Sequence, residues 1–252
     1  MQRRKFLAAA TTAAIPFALG ATTTSSTDEP RQLIELRTYE IKFGGSGSGV
    51  LMDYLRDVYS PALERLGCSS PRIMKEMGNS DPANIWVLTA YPNADVYLQA
   101  QYLNADTDHQ TAAAKYNAVP AAKPVYNRFT SQLLHAFQGM PRVADPGTEA
   151  GIFELRTYEG YSEDAVRRKI SMFNNEEIKL FLKVGLNPVF FGKMISGPYC
   201  PSLVYMLHFK DMEDRNESWG RFGPHPEWKA MVAKEEYADS VSNIRKTFLV
   251  PA

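Results

Sequence analysis

The stretch Ile34-Glu35-Leu36-Arg37-Thr38-Tyr39-Glu40 recurs 119 residues later as Phe153-Glu154-Leu155-Arg156-Thr157-Tyr158-Glu159, with six of seven residues identical. Matching at this level by chance is improbable in one chain, so the repeat predicts an internal duplication. The same offset lays residues 82–88 over 201–207, which strengthens that prediction. A segment rich in Pro and Gly, residues 139–150, is the predicted linker between the two halves.

Both copies alternate apolar and polar residues, which is the pattern of a strand with one face buried. After the second copy, Ser162 is a predicted helix N-cap and Gly185 is suited to end that helix. The order strand, helix, strand, strand, helix, strand is that of a ferredoxin-like unit, so we expect an α+β chain with ferredoxin-like repeats at 33–138 and 151–252. The predicted strands lie near 33–41, 72–77, 84–91, 130–137, 151–158, 188–195, 203–210 and 241–250, and the helices near 50–66, 93–118, 162–184 and 212–238.

The N-terminus has the composition of an export signal. Three cations at residues 3–5 precede an apolar run that ends at Leu19, and small residues follow. The run is shorter than a bilayer span, and the paired arginines are typical of a twin-arginine signal. We therefore predict a signal peptide over 1–21, a flexible leader over 22–32 and a periplasmic protein with no integral membrane span after signal removal. An uncleaved anchor is the alternative.

Charge and cysteine content exclude several classes of protein. The chain has 28 Lys and Arg against 28 Asp and Glu, and loss of the signal leaves it slightly acidic, so nothing favours a nucleic-acid partner. Cys68 and Cys200 are too few for a disulfide framework and fall at non-equivalent places in the two halves, which favours unlinked thiols. The sequence has no H-E-x-x-H or C-x-x-C spacing, so we predict no metal site and no cofactor.

The doubled Glu-Leu-Arg-Thr-Tyr strand, together with Trp219-x-x-Phe222 ahead of Pro226-Glu227-Trp228, resembles the NIPSNAP family. The resemblance extends over about residues 31–252, although the first half has no Pro-Glu-Trp motif in its second helix. It implies a dimeric α/β-barrel fold, in which two ferredoxin-like halves pack sheet against sheet, here on one chain. That superfamily includes cofactor-free monooxygenases and haem-handling enzymes, but the family itself brings no defined reaction.

Alternate residues of a strand face opposite sides, which divides each copy of the repeat into an apolar and a polar face. We expect the apolar face to pack on the helices and the polar face to line the space between the two sheets. There an arginine would fix a ligand carboxylate while a tyrosine or glutamate moves a proton. The alternative is a structural network of ion pairs that sets sheet register. The polar faces carry the ligand-binding candidates Glu35, Arg37, Tyr39 and Arg156 and the catalytic candidates Glu154 and Tyr158.

Two histidines are further candidates. His208 lies on a predicted strand, where Thr89 is its counterpart at the offset of 119. It is a candidate general base near the ligand-binding candidates Tyr205 and Arg156, although a histidine on a strand is also typical of a hydrogen-bonded packing residue. His225 lies in the Gly-Pro-His-Pro break, where it is either a ligand contact or a turn residue.

Three functions are compatible with these residues. The first is a NIPSNAP-type module that binds a small molecule or associates with itself as a homo-oligomer. The second is a cofactor-independent monooxygenase or isomerase that acts on a small hydrophobic substrate through the polar strand residues and His208. The third is haem binding through His208 or His225. The sequence leaves open whether the protein is an enzyme.

Overall fold

Antiparallel strands dominate the protein. The computed structural model describes residues 29–78 and 81–252. Within these residues the strands are β1 (Leu33–Ile41), β2 (Arg72–Glu76), β3 (Ile85–Tyr91), β4 (Tyr126–Ala136), β5 (Ile152–Glu159), β6 (Asn187–Ser196), β7 (Ser202–Phe209) and β8 (Asn243–Pro251). They close into one barrel in the order β1-β3-β2-β8-β5-β7-β6-β4. The predicted strands are found, and β4 begins four residues earlier than expected, at Tyr126.

Helices pack on the outside of this barrel. The first long helix after β1 and the first after β5 are each interrupted by one π-helical turn, at Leu55–Tyr59 and at Phe173–Glu177. Such turns are frequent at functional sites. The α-helices are α1 (Gly49–Tyr54), α2 (Ser60–Arg65), α3 (Ala94–Gln101), α4 (Thr107–Ala112), α5 (Ala114–Asn117), α6 (Glu163–Met172), α7 (Ile178–Lys183), α8 (Met212–Phe222) and α9 (Pro226–Val232).

The barrel closes through pairings between residues 33–138 and residues 151–252, which we call the first and second halves. Strand β2 pairs with β8, and β4 pairs with β6. Within each half the first strand lies between the last and the third, as β4-β1-β3 and β8-β5-β7. The strands of both halves therefore form one continuous closed sheet.

Local signals fix the helix that follows β5. The Ser162 side chain accepts a hydrogen bond from Ala165 N, which confirms it as the N-cap. Glu163 and Asp164 occupy the first turn, where the helix dipole favours acids. Gly185 follows the last helical turn with φ +81°, a left-handed conformation suited to glycine.

The two faces of the repeat lie opposite to the sequence prediction. Ile34 and Leu36 of the first half share one apolar cluster with Phe153 and Leu155 of the second, so the apolar faces fill the barrel. The polar faces lie beneath the helices, where Glu154 is bonded to side chains of α8. The physical reason is that eight strands enclose the barrel interior, whereas the helix layer brings its own polar partners to a buried charge.

The offset between the halves changes by one residue after the first strand. Phe153 pairs with His208, whereas Ile34 pairs with Ala90, so strand β7 corresponds to β3 at an offset of 118. A slip of one residue moves a side chain to the other face. Ala90 is therefore the counterpart of His208, and the prediction of Thr89 was wrong. The offset of 118 also relates the two π turns and the starts of α3 and α8.

Several sequence predictions concern the ends and surfaces of the chain. The proposed signal peptide over 1–21 and most of the leader over 22–32 lie outside the described residues. Among the helices of the described ranges, none combines the length and apolar character needed to cross a bilayer. Both cysteines are free thiols; Cys68 is buried and Cys200 is exposed.

Candidate functional site

In the second half, a buried carboxylate is surrounded by donors. Arg156 Nε donates to Glu154 Oε1 at 2.7 Å, and Arg215 Nε donates to Glu154 Oε2 at 2.9 Å. The Trp219 indole donates to Oε2 at 2.8 Å, and its ring lies 3.8 Å from the Arg156 guanidinium carbon. We call these four residues the Glu154 cluster. Burial alone would raise the pKa of Glu154, but the Arg215 hydrogen bond and the Arg156 charge outweigh burial and lower it.

A second buried ion pair lies beside this cluster. Lys169 Nζ is 2.7 Å from Glu177 Oε2, and the two side chains are 5% and 2% exposed. Glu177 ends the π turn, and burial raises its pKa despite the Lys169 charge. Tyr158 and Tyr205 share a hydrogen bond of 3.0 Å between their hydroxyls. Lys169 is paired with Glu177, and Tyr158 with Tyr205, so each of these buried polar groups has a partner, as in a structural network.

The first half contains a related cluster with different donors. Glu35 Oε1 accepts from Arg37 Nε at 2.7 Å and from the Ser131 hydroxyl at 2.6 Å. Its other oxygen, Oε2, accepts from the Tyr91 hydroxyl at 2.7 Å. The Arg37 guanidinium carbon lies 5.3 Å from the centre of the Tyr59 ring. We call these five residues the Glu35 cluster. One carboxylate faces one guanidinium here, so the cluster carries no net charge.

One polar group of the Glu35 cluster lacks a partner. The Tyr59 hydroxyl is buried and makes no hydrogen bond of normal geometry within the described part of the chain, although the Tyr91 hydroxyl lies close enough to lower its pKa. Burial raises the pKa of Tyr59, so the group is a neutral donor. Leaving a buried donor unpaired costs about 1–3 kcal/mol. A ligand oxygen that accepts from Tyr59 would recover that free energy.

The Glu35 cluster reaches the surface between α3 and β4. Arg37 Nη2 donates to Gln101 Oε1 at 3.3 Å, a long hydrogen bond to an exposed side chain. Ser131 is also exposed, and Phe129 beside Arg37 is 45% exposed. Among the described residues, the rings beside Arg37 are those of Tyr59 and Phe129, and no indole covers it as Trp219 covers Arg156. The cluster therefore combines a buried carboxylate with an arginine whose side chain is 12% exposed, close to the 10% of Arg156, but whose neighbours Gln101 and Ser131 are exposed.

The other candidates from the sequence lie in three different places. Tyr39 is buried beside Arg37 and packs edge-on against Tyr126 at 5.1 Å between ring centres. His208 shares the barrel-facing side of its strand with Met206, so the structure does not bring it to Arg156. Burial and the nearby Arg72 charge lower the pKa of His208.

His225 caps a helix rather than joining either cluster. Its Nδ1 accepts from Glu227 N at 3.3 Å, at the N-terminus of α9. Residues 29–78 and 81–252 hold no group of three His, Cys, Asp or Glu side chains suited to a metal ion.

Sequence reasoning missed several participants. Lys169 and Glu177 are charged residues on a helix side that is otherwise apolar, and that conflict with the pattern was the available signal. Trp219 was named only as part of the motif shared with the NIPSNAP family; it packs on Phe222, and its indole N–H also binds Glu154. Tyr59 gave no signal, because a tyrosine on an amphipathic helix is typical of a core residue. Tyr91, Ser131, Gln101 and Arg215 were also unassigned.

Comparison with known proteins supports the fold. Residues 153–252 match the NIPSNAP family model, and among curated proteins none matches the chain. A candidate monooxygenase from Fusobacterium nucleatum has 9% identity and a TM-score of 0.56, over 88% of this chain and 92% of that one. One from Lactobacillus acidophilus has 12% identity and a TM-score of 0.54, over 87% and 93%.

A NIPSNAP-like domain protein from Burkholderia xenovorans has 22% identity and a TM-score of 0.38, over 41% of this chain and 87% of that one. At these identities the similarities to solved structures concern the fold and not the reaction. The chain is thus an α+β protein with a closed antiparallel barrel of the dimeric α/β-barrel type, and its second half carries a NIPSNAP domain.

Proposed function

We propose that the protein is a NIPSNAP-type α/β-barrel module that binds a small aromatic hydroxyl compound, such as a phenol or an enol, at the Glu35 cluster. The observation that carries this proposal is the buried Tyr59 hydroxyl without a hydrogen bond of normal geometry, beside Arg37, which also reaches the exposed Gln101 side chain. In this proposal the Glu154 cluster is a structural ion-pair network. Residues 33–138 and 151–252 are ferredoxin-like repeats, and residues 1–21 export the protein to the periplasm.

The charges of the Glu35 cluster suit a weak acid better than a preformed anion. An anion added to the neutral pair would leave one negative charge uncompensated in a buried site. A neutral phenol can instead transfer its proton to Glu35 Oε1 or Oε2, and Arg37 and Tyr59 then hold the phenolate oxygen. The aromatic rings of Tyr59 and Phe129 flank Arg37 at 5.3 and 5.5 Å, which favours a planar ligand.

Binding of 4-nitrophenol tests this proposal, because its absorption reports whether it is ionised. The wild type should bind it as the phenolate at a pH where the free compound is mainly neutral. Arg37→Gln should weaken binding at least tenfold, whereas the exposed Arg128→Gln on the same sheet should not. Binding as the neutral phenol, or equal binding by Arg37→Gln, would overturn the proposal.

A cofactor-independent monooxygenase or isomerase is the second candidate. The specific observation in its favour is the 2.7 Å hydrogen bond from Tyr91 to Glu35, which positions a carboxylate as a general base. Oxygen uptake with a bound phenol, lost in Glu35→Gln, would support the monooxygenase. Binding without turnover would support the module. Neither His208 nor His225 adds an observation that favours haem.

A further inference from the structure

A cavity of about 300 Å³ lies at one mouth of the barrel, away from the Glu35 cluster. Leu88 and Val143 form part of an apolar wall, and Ser69 and Ser70 bring hydroxyls to the rim. Both apolar residues also pack in or against the cluster that fills the barrel. This volume is at the lower end of the range of about 300–1,000 Å³ for ligand pockets. The cavity is large enough for a small organic molecule.

The polar anchor of this cavity is Arg72. Arg72 Nη2 donates to Asp145 Oδ1 at 2.8 Å. Within the described residues, this is the one hydrogen bond of the Arg72 guanidinium. Its guanidinium carbon lies 5.6 Å from the centre of the Phe153 ring, which holds the side chain at the mouth. The remaining edge of the guanidinium has the fork of donors that binds a carboxylate.

Asp145 belongs to the segment that joins the two halves. That segment is fixed across the mouth, because Val143 N donates to Gln32 Oε1 and Ala144 N donates to Val189 O, both at 2.8 Å. The Asp145 side chain itself is 83% exposed. A solvated carboxylate of this kind contributes little to stability, and an incoming anion can displace it from Arg72.

We propose that the barrel mouth is a second ligand site, which binds the carboxylate of a small molecule with a short apolar tail. Arg72 binds the carboxylate, the serine hydroxyls donate to it, and the tail lies against Leu88 and Val143. Asp145 is an internal competitor for the same guanidinium. This site goes beyond the function proposed above, because it uses no residue of the Glu35 cluster.

Hexanoate is the probe, and saturation-transfer NMR on the full chain measures its affinity. Arg72→Gln should weaken binding at least tenfold. Asp145→Asn should strengthen it about threefold to tenfold, because the competing charge is removed while the side chain keeps its size. Arg142→Gln is the matched control, since Arg142 is a neighbouring cation of the same segment that pairs with Glu29. It should leave the affinity unchanged.

The outcome for Asp145→Asn keeps the test decisive even if Arg72→Gln folds poorly. Stronger binding by this variant, with unchanged binding by Arg37→Gln, supports a separate site at the mouth. Unchanged affinity in Asp145→Asn, or no saturable binding by the wild type, overturns the proposal. Equal affinity for acetate and hexanoate would also overturn it, because the apolar wall would then contribute nothing.

Discussion

The Glu35 and Glu154 clusters occupy corresponding places in the two halves, yet their partners differ. At the offset of 118, Tyr97 and Gln101 correspond to Arg215 and Trp219. The first half has a tyrosine and an amide where the second has an arginine and an indole that close over Glu154. The second half therefore has one carboxylate bound by two guanidinium groups and an indole, whereas the first has one carboxylate bound by one guanidinium and two hydroxyls.

The same contrast holds at the π turns. Leu51 and Tyr59 in the first half correspond to Lys169 and Glu177 in the second, again at the offset of 118. A buried ion pair thus replaces an apolar residue and an unpaired hydroxyl. The polar groups of the second half are thus paired with one another, whereas the first half has a buried hydroxyl that the proposal assigns to ligand binding. Four predictions and one closing measurement test this difference between the halves.

The largest effect is expected for Lys169→Met. It leaves the Glu177 carboxylate buried without its cation, and breaking a buried pair in this way costs about 3–5 kcal/mol. The free energy of unfolding from urea denaturation measures the loss. As control, the double variant Lys169→Leu with Glu177→Tyr installs the pair found in the first half and should recover most of it. A small loss in Lys169→Met would show that Glu177 is not constrained by Lys169.

Glu154→Gln should destabilise more than Glu35→Gln. The first change leaves two buried guanidinium groups short of a carboxylate and should cost about 3 kcal/mol. The second leaves a single guanidinium, Arg37, which keeps its hydrogen bond to Gln101, and should cost less, about 1 kcal/mol. Urea denaturation of the two variants makes the comparison directly. Equal losses would contradict this difference between the two clusters.

The contribution of Glu154 to stability should also depend on pH. Its pKa is lowered in the folded protein, so its stabilising effect is complete above the unfolded value of about 4.3 and is lost as the pH falls through the folded value. The difference in unfolding free energy between wild type and Glu154→Gln should therefore shrink in acid. A difference that grows as the pH falls would contradict the assignment.

Gln101→Trp should close the first cluster. The indole would cover Arg37 in the way Trp219 covers Arg156, and binding of 4-nitrophenol should fall about tenfold while stability changes little. Gln101→Leu is the control, because it removes the amide without adding a ring of the same reach. Retained binding in Gln101→Trp would show that the ligand does not enter between α3 and β4.

Much of the fold could be predicted from the sequence, because alternation and capping residues are local signals. Ser162 and Gly185 fixed one helix at both ends. The sequence could not show which face of each strand points into the barrel. Both faces are buried, one inside the barrel and one beneath the helices. The change of one residue in the offset between the halves could not be predicted either. Because of it, the counterpart of His208 is Ala90 and not Thr89.

The candidate site was predicted only in part. The Glu-x-Arg pairs were found because charged residues on a buried strand need partners. Tyr59 and Tyr91 were missed, since their role depends on contacts between elements distant in sequence and not on a spacing. Tyr205 was found, but its bond to Tyr158 places it in the structural network.

A comparison of Tyr59→Phe with Tyr205→Phe, with unfolding free energy and 4-nitrophenol affinity measured for each, decides which half holds the ligand. Tyr59→Phe removes an unpaired hydroxyl, so stability should be unchanged or slightly higher while affinity falls severalfold. Tyr205→Phe removes a buried hydrogen bond, so stability should fall by about 1 kcal/mol while affinity is unchanged. If Tyr205→Phe loses affinity and Tyr59→Phe does not, the ligand site lies in the second half and the account is contradicted.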